Sequence, residues 1–450
     1  MAGTPRLAPP GDRWHGRHGA APGSGASGRP VPAHAARSGS PLSAQPAPKG
    51  ARTAGARGGG RCRARGAGRR KRASQEPLPV SGRDPATLRV ALLTPRYYPE
   101  VQRGTERTVR DLAAALAGSG HKPRVITSHP GAPSSGEEDG FLVVRHWRPP
   151  EAWLLRRGFQ EHMTHVPFSY ASLLTGDDDL AQAFYLTDML AAVGWARRTG
   201  RPAVFHYGGL PTRPVLAARR LRLRILRQAL DGADAVVVYS RAAADGMRRW
   251  FGIDPHVINA GVRLDEFRPR GERAPEPAIA YAAAPEDSRK RVDLLLRALP
   301  LVRRDRPGVR LLLPRPGDPR TASRLEETDG VELFEPGPDA VAPVFRRAWV
   351  SVLPSYNEAF GIVLVESLAC GTPVVATRDG ALPEIVDRPD VGRLFEGGEA
   401  ELAGALLETL ELSEDPGTAA ACRARAGDFS TERSAAEHLR LYRELLVARA

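Results

Sequence analysis

Pro354-Ser-Tyr-Asn-Glu358-Ala-Phe360-Gly361-Ile362-Val-Leu-Val-Glu366-Ser-Leu-Ala-Cys-Gly371-Thr-Pro-Val-Val-Ala-Thr377 is the stretch on which the reading of this chain turns. It follows an apolar run, Val350–Leu353, that reads as a buried strand, and it ends in a second one, Pro373–Thr377. Between them Ile362–Ala369 reads as a buried helix stopped by Gly371, a residue suited to a left-handed cap. The turn Asn357–Gly361 therefore presents backbone N–H groups and a helix N-terminus, which together bind phosphate. Glu358 lies in the turn and Glu366 within the helix; eight residues at about 1.5 Å rise would part them by roughly 12 Å if both were helical. That spacing suits two separate jobs. A hydrolytic pair, with carboxyls about 5–5.5 or 6.5–9.5 Å apart, forms only if the turn folds back. Taken alone, Glu358 merely favours the helix N-terminus and Glu366 is a solvated helix residue.

The same alternation extends outward in both directions. Arg89–Thr94, the turn Pro95–Gly104, the periodic stretch Val109–Leu116 and Pro123–Ser128 form a β-α-β unit, and Phe141–Val144, Ala203–His206 and Ala235–Tyr239 continue as strands. A second series starts after Pro269, Pro275 and Pro277 with Ala278–Ala283, the helix Val292–Val302 and the strand Val309–Leu313. The fold class is α/β: two Rossmann-like domains with mainly parallel sheets facing each other across a cleft at their carboxyl strand ends. The divisions expected are a tail over 1–84, an N-terminal domain over 85–268, a C-terminal domain over 269–433, and a helix over 434–450 packed across both. Residues 151–180 carry no clear pattern.

Charge and composition set the tail apart. Residues 1–84 hold 16 Lys or Arg against three acidic residues, which accounts for +13 of the chain's +14. The rest is almost neutral, which excludes a basic nucleic-acid binder as the reading of the whole. In the tail 27 residues are Gly or Pro and five are Leu, Val, Ile or Phe, too few to offset backbone ordering, so it is expected to be disordered. Three widely spaced cysteines, Cys62, Cys370 and Cys422, give neither a disulfide framework nor a zinc spacing. No apolar run reaches 18 residues and the N-terminus lacks a secretory apolar stretch, so the expected place is the cytoplasm or the inner face of a membrane.

Glu358 and Glu366 match the Glu-x7-Glu element of the retaining nucleotide-sugar glycosyltransferases of family 4, and the whole segment resembles their signature. The resemblance runs from about Arg89 to Tyr442 and includes Ala233–Ser240, Val257–Val262 and Ala381–Val386. It implies the GT-B fold, transfer of a sugar from a nucleoside diphosphate donor to a hydroxyl acceptor (lipid, polyol or glycan), no cofactor and no metal. It also implies that Glu358 bonds the donor sugar, that Glu366 accepts from the ribose, and that the amides of Phe360, Gly361 and Ile362 face sugar and diphosphate.

Ser288-Arg289-Lys290-Arg291 precedes the next helix. Family members carry a Gly-Arg pair and then a Lys here to neutralise the diphosphate. Lys290 or Arg289 matches the Lys, whereas Ala283-Ala284 stands where Gly-Arg is expected. The cluster Arg289-Lys290-Arg291 is expected to supply the missing charge, since guanidinium forks take phosphate oxygens in pairs. Arg103-Gly104-Thr105-Glu106 resembles the family's Gly-Gly-x-Glu loop, with Gly104 allowing close backbone approach to the donor. His206 matches a histidine that related transferases place beside donor sugar and acceptor.

Two further motifs are read plainly. Asp177-Asp-Asp179 is taken as a solvated acidic turn, not a metal site. Arg219–Arg227 is taken as a surface helix; it and the basic tail are the segments through which contact with an anionic membrane is expected, with no specific nucleic-acid partner. Two rival functions remain in play: an epimerase or phosphorylase-like enzyme on the same architecture, or a binding protein with an anion-binding tail.

Overall fold

The computed structural model describes residues 87–217, 220–337 and 339–449. The expectations for the tail fall on residues outside that set, as does Arg219. Short apolar runs supply most of the strands, and the turn residues between them end the elements, so two open sheets form in succession.

The first sheet contains β1 (Arg89–Leu93), β2 (Lys122–His129), β3 (Ser134–Glu138), β4 (Phe141–Trp147), β5 (Leu180–Ala183), β6 (Ala203–Tyr207), β7 (Ala235–Val238) and β8 (His256–Val257). Its spatial order is β3-β4-β2-β1-β5-β6-β7-β8, parallel throughout except where β3 pairs antiparallel with β4. β3 escapes sequence reasoning because Ser-Ser-Gly-Glu-Glu has no apolar alternation; it is an almost wholly exposed edge strand.

The second sheet contains β9 (Ala278–Ala280), β10 (Arg310–Pro314), β11 (Val331–Phe334), β12 (Val350–Leu353), β13 (Val374–Thr377) and β14 (Gly392–Phe395), all parallel, in the order β11-β10-β9-β12-β13-β14. In each sheet the strand order reverses beside the first strand: at β1/β5 in one and β9/β12 in the other. Chain segments leaving those carboxyl ends diverge, and the crevice between them is where open α/β sheets bind ligands.

Residues 151–180 supply short helices at Ala152–Arg156 and His165–Thr175 before β5. The last helix is Thr431–Arg449, three residues longer at its start than its apolar stripe suggests. Its Ala435, Leu439 and Tyr442 join the core formed by β1, β2 and the helix Gly104–Gly118, so the end of the chain returns to the first sheet. The second sheet has its own core, into which Phe267 and Phe429 are drawn. Among the described residues no helix is long and apolar enough to cross a membrane.

Candidate active site

β12 delivers the chain into the turn that precedes the helix Ile362–Ala369. Gly361 caps that helix with φ 99°, and a Cβ there would come within 2.6 Å of Leu382 Cδ2, so glycine meets both the backbone and the space requirement. A second loop braces the turn. Asn357 N–H donates to Asp379 Oδ1 at 2.6 Å and Ala381 N–H to the Glu358 carbonyl at 3.0 Å. The N-terminus of the helix is thereby braced next to the carboxyl end of β12.

The loop after β9 arrives from the other side of the same switch point. Asp287 caps a 3-10 turn at Ser288–Lys290, and Tyr356 N–H donates to the Arg289 carbonyl at 3.1 Å. This backbone link sets Lys290 Nζ 2.5 Å from Glu358 Oε2. Arg289 turns instead to Asp287 at 2.6 Å, and Arg291 occupies the left-handed region, φ 52°, at the start of the next helix. Of the three basic residues, Lys290 is the one that reaches Glu358. Ala284 is exposed on the loop after β9 and brings no charge.

Glu366 is fully buried, contrary to its reading as a solvated helix residue when taken alone. Its Oε1 is paired with Arg107, which reaches over from the first turn of the helix Gly104–Gly118. Burial pushes the Glu366 carboxyl up to about 7 although the guanidinium opposes it. Asp111, one turn further along the same helix and 3.4 Å from Arg263, is likewise pushed by burial up to about 6. The two glutamates of the motif are therefore held by different cations on different elements. Arg107 and Asp111 were not legible in the sequence; their helix was, but not what its first turn would face.

His206 is the last residue but one of β6 and is 1% exposed, stacked on Phe184 at 5.0 Å and beside Tyr239 at 4.2 Å. Burial holds its pKa well below the ordinary value, with His438 adding in the same direction, so the ring is neutral. Tyr442, on the last helix, donates from Oη to Gln182 Oε1 at 2.6 Å. That leaves Gln182 Nε2 donating to His206 Nδ1 at 3.2 Å, which assigns the imidazole proton to Nε2. Nε2 has no hydrogen-bond partner.

His206 lines a cavity of about 440 Å³ together with Thr105, His162, Tyr185, Tyr207 and Arg222. Gly104 is the first residue of the helix whose Thr105 borders this cavity, and a Cβ on it would meet open space. His162 is an addition that no motif announced: it is 7% exposed, has φ 66°, and its Nδ1 lacks a hydrogen-bond partner. Its backbone N–H donates to Glu151 Oε2 at 3.0 Å.

The acidic triplet departs from its reading as a solvated turn. Asp178 is 4% exposed and paired with Arg124, Asp179 accepts from Arg89 N–H at 2.8 Å, and Asp177 pairs with the Arg89 side chain. All three tie β1, β2 and β5 together at their amino ends. In the helix Arg220–Gly232, Arg222, Arg224 and Arg227 are exposed while Ile225 and Leu226 are buried. Cys370 and Cys422 are buried free thiols that burial pushes up to about 12.

Residues 102–266 match the family model described as Glycosyltransferase Family 4, and residues 276–412 the one described as Glycosyl transferases group 1. The chain is 30% identical over 409 residues to a D-inositol 3-phosphate glycosyltransferase of Streptomyces scabiei, covering 79% of this chain and 90% of that one. A phosphatidyl-myo-inositol mannosyltransferase of Propionibacterium freudenreichii is 29% identical over 279 residues, 58% of this chain and 65% of that one. Among solved structures, a sucrose-phosphate synthase from Thermosynechococcus elongatus superposes with a TM-score of 0.68 at 25% identity, covering 80% of this chain and all of that one.

Proposed function

The chain belongs to the family 4, group 1 glycosyltransferases, and from that premise we propose that it moves a sugar from a nucleoside diphosphate to a hydroxyl of a phosphorylated polyol with retention at the anomeric carbon. The observation that carries the reading is the meeting of Lys290 and Glu358 beside the Gly361-capped helix end, at the switch point of the second sheet. A diphosphate seated there gains the unpaired amides, the helix dipole and the Lys290 ammonium. Glu358 then accepts from sugar hydroxyls, and the Oε2 of Glu366 from the ribose. Because Ala283-Ala284 brings no guanidinium to the diphosphate, Lys290 carries most of the side-chain charge.

The acceptor occupies the cavity below His206. Its hydroxyl oxygen bonds the anomeric carbon as the carbon–phosphate oxygen bond breaks, and its proton passes to the departing phosphate oxygen on the same face. The protein's contribution is to hold the two substrates together and to stabilise the charge that grows on the diphosphate. Neutral His206, with its proton on Nε2, donates a hydrogen bond and does not take the acceptor's proton. Arg222 and His162 border the same cavity and suit an anionic group on the acceptor, such as the phosphate of the inositol 3-phosphate for which the Streptomyces scabiei relative is named.

Thermal stabilisation by UDP-, GDP- and ADP-sugars identifies the donor, since a ligand of the native state raises its melting temperature. The selected donor, incubated with D-inositol 3-phosphate, should release nucleoside diphosphate and form a product in which the sugar keeps its anomeric configuration. No stabilisation by any of the three classes and no transfer would refute the reading. The same protein mixed with anionic vesicles tests the membrane contact expected of the tail and of Arg219–Arg227: salt-sensitive co-sedimentation supports it.

A further inference from the structure

We propose that Arg107 is a donor-site positioning residue: reaching across the cleft from the N-terminal domain, it holds one oxygen of Glu366 and so presents the other, Oε2, to the nucleotide ribose. The inference rests on the glycosyltransferase reading and adds to it a residue from the opposite domain. Two observations and one physical argument support it. Arg107 forms its ion pair through Oε1, and both carboxylate oxygens are buried and otherwise without a hydrogen-bond partner. The guanidinium carbon lies 5.6 Å from the Phe267 ring centroid, so the charged plane is fixed by packing as well as by its partner. A buried carboxylate oxygen left without a donor is costly, and a ribose hydroxyl is a donor of the right kind.

The groups facing Glu366 are Arg107 and Asp111 on the helix Gly104–Gly118, with Arg263 behind Asp111, and the Cys370 thiol at the end of its own helix. Arg107 is the cation in direct contact. It stabilises the ionised carboxylate against burial, so removing it should raise the pH at which Glu366 ionises. The contact also joins the walls of the cleft. Ribose binding at Oε2 and approach of the two domains then favour one another.

The test is the affinity for the nucleoside diphosphate, chosen among UDP, GDP and ADP as the one the parent binds, followed by calorimetry from pH 6 to 9. Arg107→Met should bind about tenfold more weakly at pH 7 and recover most of that loss by pH 9, whereas Arg107→Lys should stay within about threefold of the parent. In a Glu366→Gln background, adding Arg107→Met should change affinity little at any pH, which keeps the test decisive if the single Met variant does not fold. An unchanged pH profile in Arg107→Met, or a further tenfold loss when it is added to Glu366→Gln, would overturn the assignment while leaving the transferase reading intact. A parent that binds none of the three nucleotides would bring down both.

Discussion

Lys290 Nζ and Glu358 Oε2 meet at 2.5 Å although 68 residues separate them, each on a loop leaving one of the two strands that flank the switch point of the second sheet. Both side chains are less than one-fifth exposed. The ammonium and the carboxylate thus neutralise and orient one another, which is the arrangement the proposed donor site rests on.

Replacing Lys290 with Met should slow sugar transfer much more than it weakens nucleoside diphosphate binding, because negative charge grows on the diphosphate as the bond breaks. A charge-assisted contact of about 1.5–3 kcal/mol corresponds to roughly 10–150-fold in rate. Glu358→Ala should likewise act on transfer, whereas Glu366→Ala should weaken binding of the nucleotide itself. Single-turnover rates and nucleotide titrations separate these effects; transfer by Lys290→Met at the parental rate would contradict the charge role.

Glu366→Gln should shift stability with pH in a defined direction. The folded-state pKa, about 7, lies above the ordinary 4.5, so the folded protein holds the proton more tightly than the unfolded chain. Ionisation therefore costs stability as pH rises from about 4.5 to 7, by roughly 3 kcal/mol once complete. At pH 5 parent and variant both present a neutral group; at pH 8 only the parent bears the buried charge. Melting temperatures recorded across that range should move in favour of the variant, and a constant difference would show that Glu366 ionises normally.

Gly361→Ala should loosen the N-terminal end of the helix Ile362–Ala369, where the diphosphate is proposed to sit. The left-handed backbone disfavours alanine, and its Cβ would press on Leu382, which is fully buried and has little room to move. The expected cost is about 1–3 kcal/mol in denaturant unfolding, with weaker nucleotide binding because the first amides shift. Parental stability would mean that the turn adapts without strain.

Tyr442→Phe should change the chemistry of a residue it does not touch. Without the hydroxyl, Gln182 is no longer held with its amide nitrogen toward His206, and the imidazole loses its single tautomer. Nitrogen-resolved magnetic resonance should find the proton on Nε2 in the parent and a mixture in the variant. Turnover should fall about tenfold with the donor KM little changed. A parent with its proton on Nδ1 would invalidate the relay.

Local chemistry made part of this protein readable. Alternating apolar runs and turn residues specify a strand or helix within a dozen residues, so the two α/β series, the turn at Asn357–Gly361 and the helix after it follow from the chain itself. The same locality explains the misreadings. Asp178 looked solvated because its partner Arg124 lies 54 residues earlier, and Arg107 escaped notice because it reaches Glu366 from another domain. Only tertiary structure brought Tyr442 to Gln182 across 260 residues and thereby assigned the His206 proton. Residue type and spacing encode which backbone forms, because hydrogen bonds and side-chain periodicity act between near neighbours; which charges are desolvated and paired depends on packing between distant elements, and no short stretch of sequence carries that.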